Sequence, residues 1–389
     1  MTTTETPGGR RGPAPLKERR LTPDLARGFM LLLIAIAYAP SYIDLSAASV
    51  GWHPAGGTVV DGAARVFTLL FVDNRAFPMF AALFGYGLIM LVDGQQAKGT
   101  SENEARRLLR RRSFFLLAFG FVHAALVFPG EILGTYGLAG LLIGWLLFRP
   151  DRVILRAAAV LTPFYVLTVM GLAFTSQQTE LTPIAGYTTA ADWAERVVFW
   201  PFTPVYVAIA YPLFVALLLG AWAGRRRLLH DPAEHRTLLR RVAVIGIGVS
   251  LLGALPAVLV EVGLLGNPDT SGPLMGLQTL TGVFGGLGYA AVFGLIAASR
   301  GERRGPVTRA LAATGQRSLT SYLLLSVLLA VFMHRDLIGL GEHVHSAGAL
   351  GIAFGCWLVA VLFAVALDKA GRKGPADAFI RSLVYRNRR

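Results

Sequence analysis

The sequence predicts an all-α fold: a polytopic integral membrane helical bundle of about ten transmembrane helices, with both termini cytoplasmic. Three observations lead there. The 389 residues are 54% hydrophobic and 15% charged, with a mean hydropathy of +0.55, which leaves too little polar surface for a water-soluble globule. Apolar runs long enough to cross a hydrocarbon core of about 30 Å recur along the whole chain. Lys and Arg gather between alternate runs, as the retention of cations on the cytoplasmic side demands.

The elements follow in order. Residues 1–20, rich in Pro, Gly and Arg, read as a disordered basic cytoplasmic tail. A transmembrane domain over 21–370 is expected to carry spans near 25–42, 76–92, 113–129, 132–148, 153–174, 202–222, 242–262, 276–298, 319–335 and 348–368. Residues 371–389 form a basic cytoplasmic C-terminal tail. Every Lys and Arg except Arg65, Arg75, Arg196 and Arg335 falls in the amino-terminal segment through Arg27, in segments 93–112, 149–156, 224–241 and 300–317, or in 369–389. The net charge of +14 is therefore topological and suits anionic inner-leaflet lipids; nucleic acid is not an expected partner. The single cysteine, Cys356, excludes an internal disulfide. A cleaved signal peptide competes for the first span, because basic residues precede the short core FMLLLIAIAYA.

Three outer segments, 43–75, 175–201 and 263–275, are long enough to receive a ligand. Their Trp residues, Trp193 and Trp200 among them, read as interfacial anchors, with carbohydrate stacking as the alternative. Gln177 and Gln178 share the second of these segments. The spacings Gly137-x-x-Gly140-x-x-x-Gly144 and Gly282-x-x-Gly285-Gly286 read as close helix packing in lipid. His334, Glu342, His343 and His345 fit a solvated loop better than a metal site, and no serine stands in a Gly-x-Ser-x-Gly elbow.

Ionisable residues within a bilayer are expensive, and each is a functional candidate. Asp24 and Arg27 share one helix face at i,i+3, either as a local ion pair or as part of a ligand site. Arg75 lies about 26 Å above the inner boundary at helical rise, where it either snorkels or acts. His123 follows Arg112 by 11 residues, roughly 16 Å from the inner edge. Glu131 stands at the following turn, and Tyr136 comes about 7 Å deeper on the next helix. The three could converge, and a carboxylate-paired histidine can serve as a general base near neutral pH. Gly315 to Tyr322 carries polar residues into the ninth span, with Arg317 and Ser321 near its inner end. Arg317 suits a cofactor phosphate or, in the plainer reading, positive-inside bias.

Taken in order, Asp24-x-x-Arg27-Gly28, Arg75-x-Phe77 with Leu83-Phe84-Gly85, Gly120-x-x-His123 after the arginine block, Gly130-Glu131-Ile132-Leu133 with Tyr136 and Gly140, and Gly315 to Tyr322 resemble the YeiB-like family of bacterial membrane proteins. The resemblance covers nearly everything after residue 20, and it implies that the first helix is retained. Two positions depart from the expected pattern, which would have lysine at Arg75 and aspartate at Glu131. The family, a domain of unknown function, is distantly similar to heparan-glucosaminide N-acetyltransferase-type transmembrane acyltransferases. That likeness implies acyl-CoA as donor, an envelope glycan or glycolipid as acceptor, and His123 as base. Glu131 would orient it, Tyr136 or Arg75 would hold the oxyanion, and Asp24, Arg27, Arg317 and Ser321 would line the donor site. The alternative is a transporter of a small solute or lipid without covalent chemistry, suggested by ten spans and a second span broken at Pro78. A homo-oligomer is compatible with either.

Overall fold

The computed structural model describes residues 21–43, 49–51, 53–175, 184–266, 271–300 and 305–385. The expected tail at 1–20 lies outside the described residues, as do Gln177, Gln178 and the last four residues. Among the described residues the chain is helical throughout: α1 (Leu21–Tyr38), α2 (Val59–Phe71), α3 (Ala76–Gln96), α4 (Glu102–Leu126), α5 (Leu133–Ile143), α6 (Asp151–Thr175), α7 (Ala190–Phe199), α8 (Phe202–Ala210), α9 (Leu213–Arg225), α10 (Arg236–Glu261), α11 (Gly272–Arg300), α12 (Pro306–Gln316), α13 (Ser318–Met333), α14 (Ser346–Lys369) and α15 (Pro375–Tyr385).

Local chemistry sets several of the starts. Thr58 with Asp61, Ser101 with Glu104 and Thr189 with Asp192 form reciprocal capping boxes that begin α2, α4 and α7, each satisfying two otherwise orphaned donors. Pro78 lies in the first turn of α3, where no N–H is needed. The expected break at Pro78 is therefore not there. The chain turns just before it, at residues 72–75, between α2 and α3.

Among the described residues six helical stretches are long and apolar enough to cross a membrane, or eight if two bent pairs each count as one span. The molecule is thus an all-α, multi-pass membrane bundle. The expected span at 202–222 is not straight, because α8 and α9 meet at 72° around Tyr211 and Pro212, where proline cannot continue the ladder. The expected basic loop at 300–317 contains α12, which meets α13 at 90°. The segments expected to lie outside contain α2 and α7, and the expected C-terminal tail contains α15. Charge patterning sees these pieces as connections because they are short or amphipathic.

Backbones approach closely where side chains are missing. A Cβ on Gly28 would lie 2.0 Å from the Leu311 carbonyl oxygen, and one on Gly315 would lie 1.7 Å from that of Asp24. α1 and α12 are therefore in main-chain contact at both ends of one helical turn. The Gly137, Gly140 and Gly144 stripe faces Ser113, Leu117 and Leu109 of α4, and Gly282, Gly285 and Gly286 face the start of α3, as small residues do at helix crossings in lipid.

Gly315→Ala is expected to destabilise the detergent-solubilised protein by roughly 1–3 kcal/mol, the usual cost of overpacking. Gly351→Ala, where nothing lies within 4 Å of the added carbon, is expected to leave the thermal unfolding midpoint unchanged. Equal midpoints for the two variants would contradict the α1–α12 contact.

Candidate functional site

His123 sits near the end of α4 and is 4% exposed. Neither Nδ1 nor Nε2 has a hydrogen-bond partner. Its ring lies 5.3 Å, centroid to centroid, from that of Tyr322 on α13. The Tyr322 and Tyr38 hydroxyls are also buried without hydrogen bonds of ordinary geometry, and Glu131 lies close enough to act electrostatically on both. A histidine and two phenols thus share one buried region contributed by α1, α4 and α13. Tyr38 carried no sequence signal, since a tyrosine at the end of an apolar run reads as an interfacial anchor. Tyr322 was visible only as the last residue of a motif.

Glu131 is fully buried, but it does not orient His123. Its carboxylate accepts from the Gly134 backbone N–H at 2.9 and 3.0 Å and from Trp200 Nε1 at 3.0 Å. It occupies a slot left by two glycines: a Cβ on Gly120 or Gly134 would lie 2.6 or 2.5 Å from Oε1. A carboxylate on the first N–H groups of α5 is a helix cap aligned with the helix dipole. Trp200 accordingly serves as a donor to Glu131. Trp193 donates to the Tyr187 carbonyl.

The other two expected members of the catalytic group are committed elsewhere. The Tyr136 hydroxyl donates to the Phe77 carbonyl at 3.2 Å, and its ring packs among Phe77, Phe80 and Phe84. Arg75, expected near the outer surface, is 1% exposed. Its guanidinium donates to the carbonyls of Leu69, Asp73 and Ser250, tying the end of α2 to α10.

At the arginine-rich end, Asp24 and Arg27 form the expected i,i+3 pair at 3.4 Å, and Arg27 also reaches the Leu83 carbonyl at 3.3 Å. Arg317 stands at the corner between α12 and α13 and is 1% exposed. It donates to the carbonyls of Ala313 and Arg372 and to Asp368. Ser321, one turn along, has a buried hydroxyl without a partner. Residues Asp24, Gly315 and Arg317 are adjacent through main-chain contact, so this part of the motif describes a helix junction.

Residues 223–387 match the family described as "Protein of unknown function (DUF418)". The chain is 27% identical to the "Uncharacterized protein YxaH" of Bacillus subtilis (strain 168), with 96% of each covered. It is 26% identical to the "Uncharacterized protein YeiB" of Escherichia coli (strain K12), over 95% of this chain and 97% of that protein. Over nearly its whole length the chain is thus similar to YeiB-like proteins. The DUF418 match runs from α9 into the segment after α15 and includes Arg317, Ser321 and Tyr322. His123 and Glu131 fall outside it and are covered through the near full-length relatives.

The chain also holds a histidine–carboxylate pair that has no signal in the sequence pattern. His53 Nε2 lies 2.7 Å from Asp73 Oδ2 and 3.2 Å from Thr68 Oγ1, while Nδ1 is buried without a partner. His53 and Asp73 are 20 residues apart, on either side of α2, so only the fold around α2 joins them.

A roof closes over the end of α4. The Tyr187 hydroxyl and Arg196 both donate to the Val127 carbonyl, and Arg196 lies 4.0 Å over the Tyr187 ring. The same ring stands edge-on to His334 at 4.6 Å, and the Tyr187 N–H donates to Asp336 at 2.7 Å. Burial pushes the His334 pKa below its ordinary value against the opposing pull of Asp336, and hydrogen bonds from Thr189 hold Asp192 low.

Both shifts favour the closed roof at neutral pH. A base with a lowered pKa binds its proton first in the open form, so closure weakens as pH falls below the unperturbed histidine value of about 6.5. The lowered Asp192 contributes above about pH 3.9 and is lost below it. Hydrogen exchange at residues 184–200, corrected for intrinsic rate, is expected to rise between pH 7 and pH 5, and the rise is expected to vanish in His334→Phe. A pH-independent profile in the unaltered protein would contradict the arrangement.

Proposed function

We propose that the chain is a plasma-membrane acyltransferase that moves an acyl group from cytoplasmic acyl-CoA to an extracytoplasmic sugar or lipid-linked glycan. The observation that carries this reading is His123, buried with both ring nitrogens unpartnered beside two phenols. Leaving a buried polar group unsatisfied costs about 1–3 kcal/mol, and such groups are retained where a ligand completes them.

In the proposed reaction His123 takes the proton of the acceptor hydroxyl as its oxygen attacks the thioester carbonyl. The tetrahedral intermediate collapses with cleavage of the carbon–sulfur bond, and the imidazolium returns the proton to the departing thiolate, giving ester and free CoA. Tyr322 and Tyr38 are the donors available to the oxyanion, since the donors of Tyr136 and Arg75 are spent on carbonyls. Glu131 supports the site by fixing the start of α5. Of the two arginines expected at the donor phosphates, Arg27 retains 23% side-chain exposure and is the proposed contact. Arg317 positions the α12–α13 corner.

Two observations keep second readings in view. The His53–Asp73 pair already has the geometry of a carboxylate-activated base. The two bent helix pairs suit transport of a small solute or lipid, since broken helices frame transport sites.

Membrane vesicles given radiolabelled acetyl-CoA and longer acyl donors separate these. Labelled glycan or glycolipid is expected with the unaltered protein, and a loss of about a hundredfold or more in His123→Ala. Retained transfer in His123→Ala with loss in His53→Ala would move the base to the outer pair. Solute counterflow in proteoliposomes without donor, and no labelled product, would replace the reading with transport.

A further inference from the structure

α10 and α11 pack against each other in a register fixed by three glycines. Gly246 meets the Phe284 carbonyl, Gly253 meets Thr281, and Gly294 meets Leu239. Toward the arginine-rich end this contact opens into a cavity of about 420 Å³ lined by Arg236, Arg240, Val292, Leu295, Ile296 and Ser299. Arg236 and Arg240 are four residues apart and share one face of α10. Both are exposed, and among the described residues neither makes an ion pair or hydrogen bond. Ser299 and Val292 are seven residues apart on α11, so the apolar wall extends about 10 Å inward from the end that carries the arginines.

We propose that this groove holds one anionic phospholipid of the leaflet at the arginine-rich end. Its phosphate lies between the two guanidiniums, and the upper part of one acyl chain lies along Val292, Leu295 and Ile296. Charge complementarity selects the headgroup: residues 224–241 carry six arginines, and positive-inside bias assigns this end to the cytoplasmic leaflet, where anionic lipids are attracted to such clusters. The surroundings select a lipid over a soluble phosphate. Val244, next in the i,i+4 series after Arg236 and Arg240, is 66% exposed, so the groove runs directly onto the hydrocarbon-facing surface. A bilayer lipid enters sideways and needs no aqueous route. The site is separate from His123, and its failure would leave the acyl-transfer reading untouched.

Native mass spectrometry of the purified full chain tests this with dioleoyl phosphatidylglycerol, dioleoyl phosphatidylcholine, palmitoyl-CoA and inorganic phosphate as separate probes. One phosphatidylglycerol is expected to bind more tightly than phosphatidylcholine. Its apparent affinity is expected to fall roughly tenfold or more in the Arg236→Gln/Arg240→Gln double variant. The Arg152→Gln/Arg156→Gln double variant, which removes two exposed arginines from α6, is expected to bind as the unaltered chain does. Val292→Trp fills the groove while keeping both arginines and is expected to lose the same lipid. Equal binding of the two phospholipids, equal loss in the two arginine pairs, or loss of palmitoyl-CoA or phosphate alone in the Arg236/Arg240 variant would each overturn the proposal.

Discussion

Inside a bilayer every backbone carbonyl needs an internal partner, and this bundle meets that demand at its broken and terminated helices with guanidinium groups. Arg75 takes the carbonyls at and just after the end of α2. Arg196 takes Val127 beyond α4, Arg225 takes Leu147 and Arg149 after α5, and Arg317 takes Ala313 and Arg372 around the α12–α13 corner and past α14. A planar cation with five donors suits this work, since it bridges several acceptors and complements the negative end of a helix dipole. The sharp α12–α13 corner can exist in lipid because Arg317 satisfies what the bend releases.

That corner positions the rest. Gly315 lets α12 lie against the Asp24 backbone, Arg317 turns the chain, and α13 then carries Tyr322 to the ring of His123. On the other side, Gly120 and Gly134 admit the Glu131 carboxylate, which holds α5 and Trp200 together. In this framework both ring nitrogens of His123 are left without a polar partner. The Glu131 carboxylate that would otherwise pair with it is taken up by the start of α5 and Trp200, and the buried imidazole stands beside the Tyr322 ring.

Composition and cation placement made the all-α membrane class legible, because both follow from the bilayer as solvent. The glycine spacings were read correctly as packing for the same reason. Bends at Tyr211–Pro212 and at Arg317 were missed, since an apolar run has the same length whether straight or folded over. The pairing of His123 with Glu131 failed on a competing principle: eight residues in sequence place the carboxylate near the ring, but the orphaned N–H groups of α5 claim it first. Arg75 and Arg317 drew attention as intramembrane charges, and a cost at such a site is equally well met by structure as by chemistry. His53 and Asp73 meet only after α2 folds back, a tertiary event with no periodic signature.

The claim that buried arginines hold the helix ends is tested most directly by the thermal unfolding midpoint of the detergent-solubilised protein carrying Arg317→Gln, set against Arg152→Gln at an exposed position. The account predicts a clear fall of several degrees for Arg317→Gln, because carbonyls and Asp368 lose their donor, and no change for Arg152→Gln. An unchanged midpoint in Arg317→Gln would contradict it, and would return Arg317 to the role of a ligand contact.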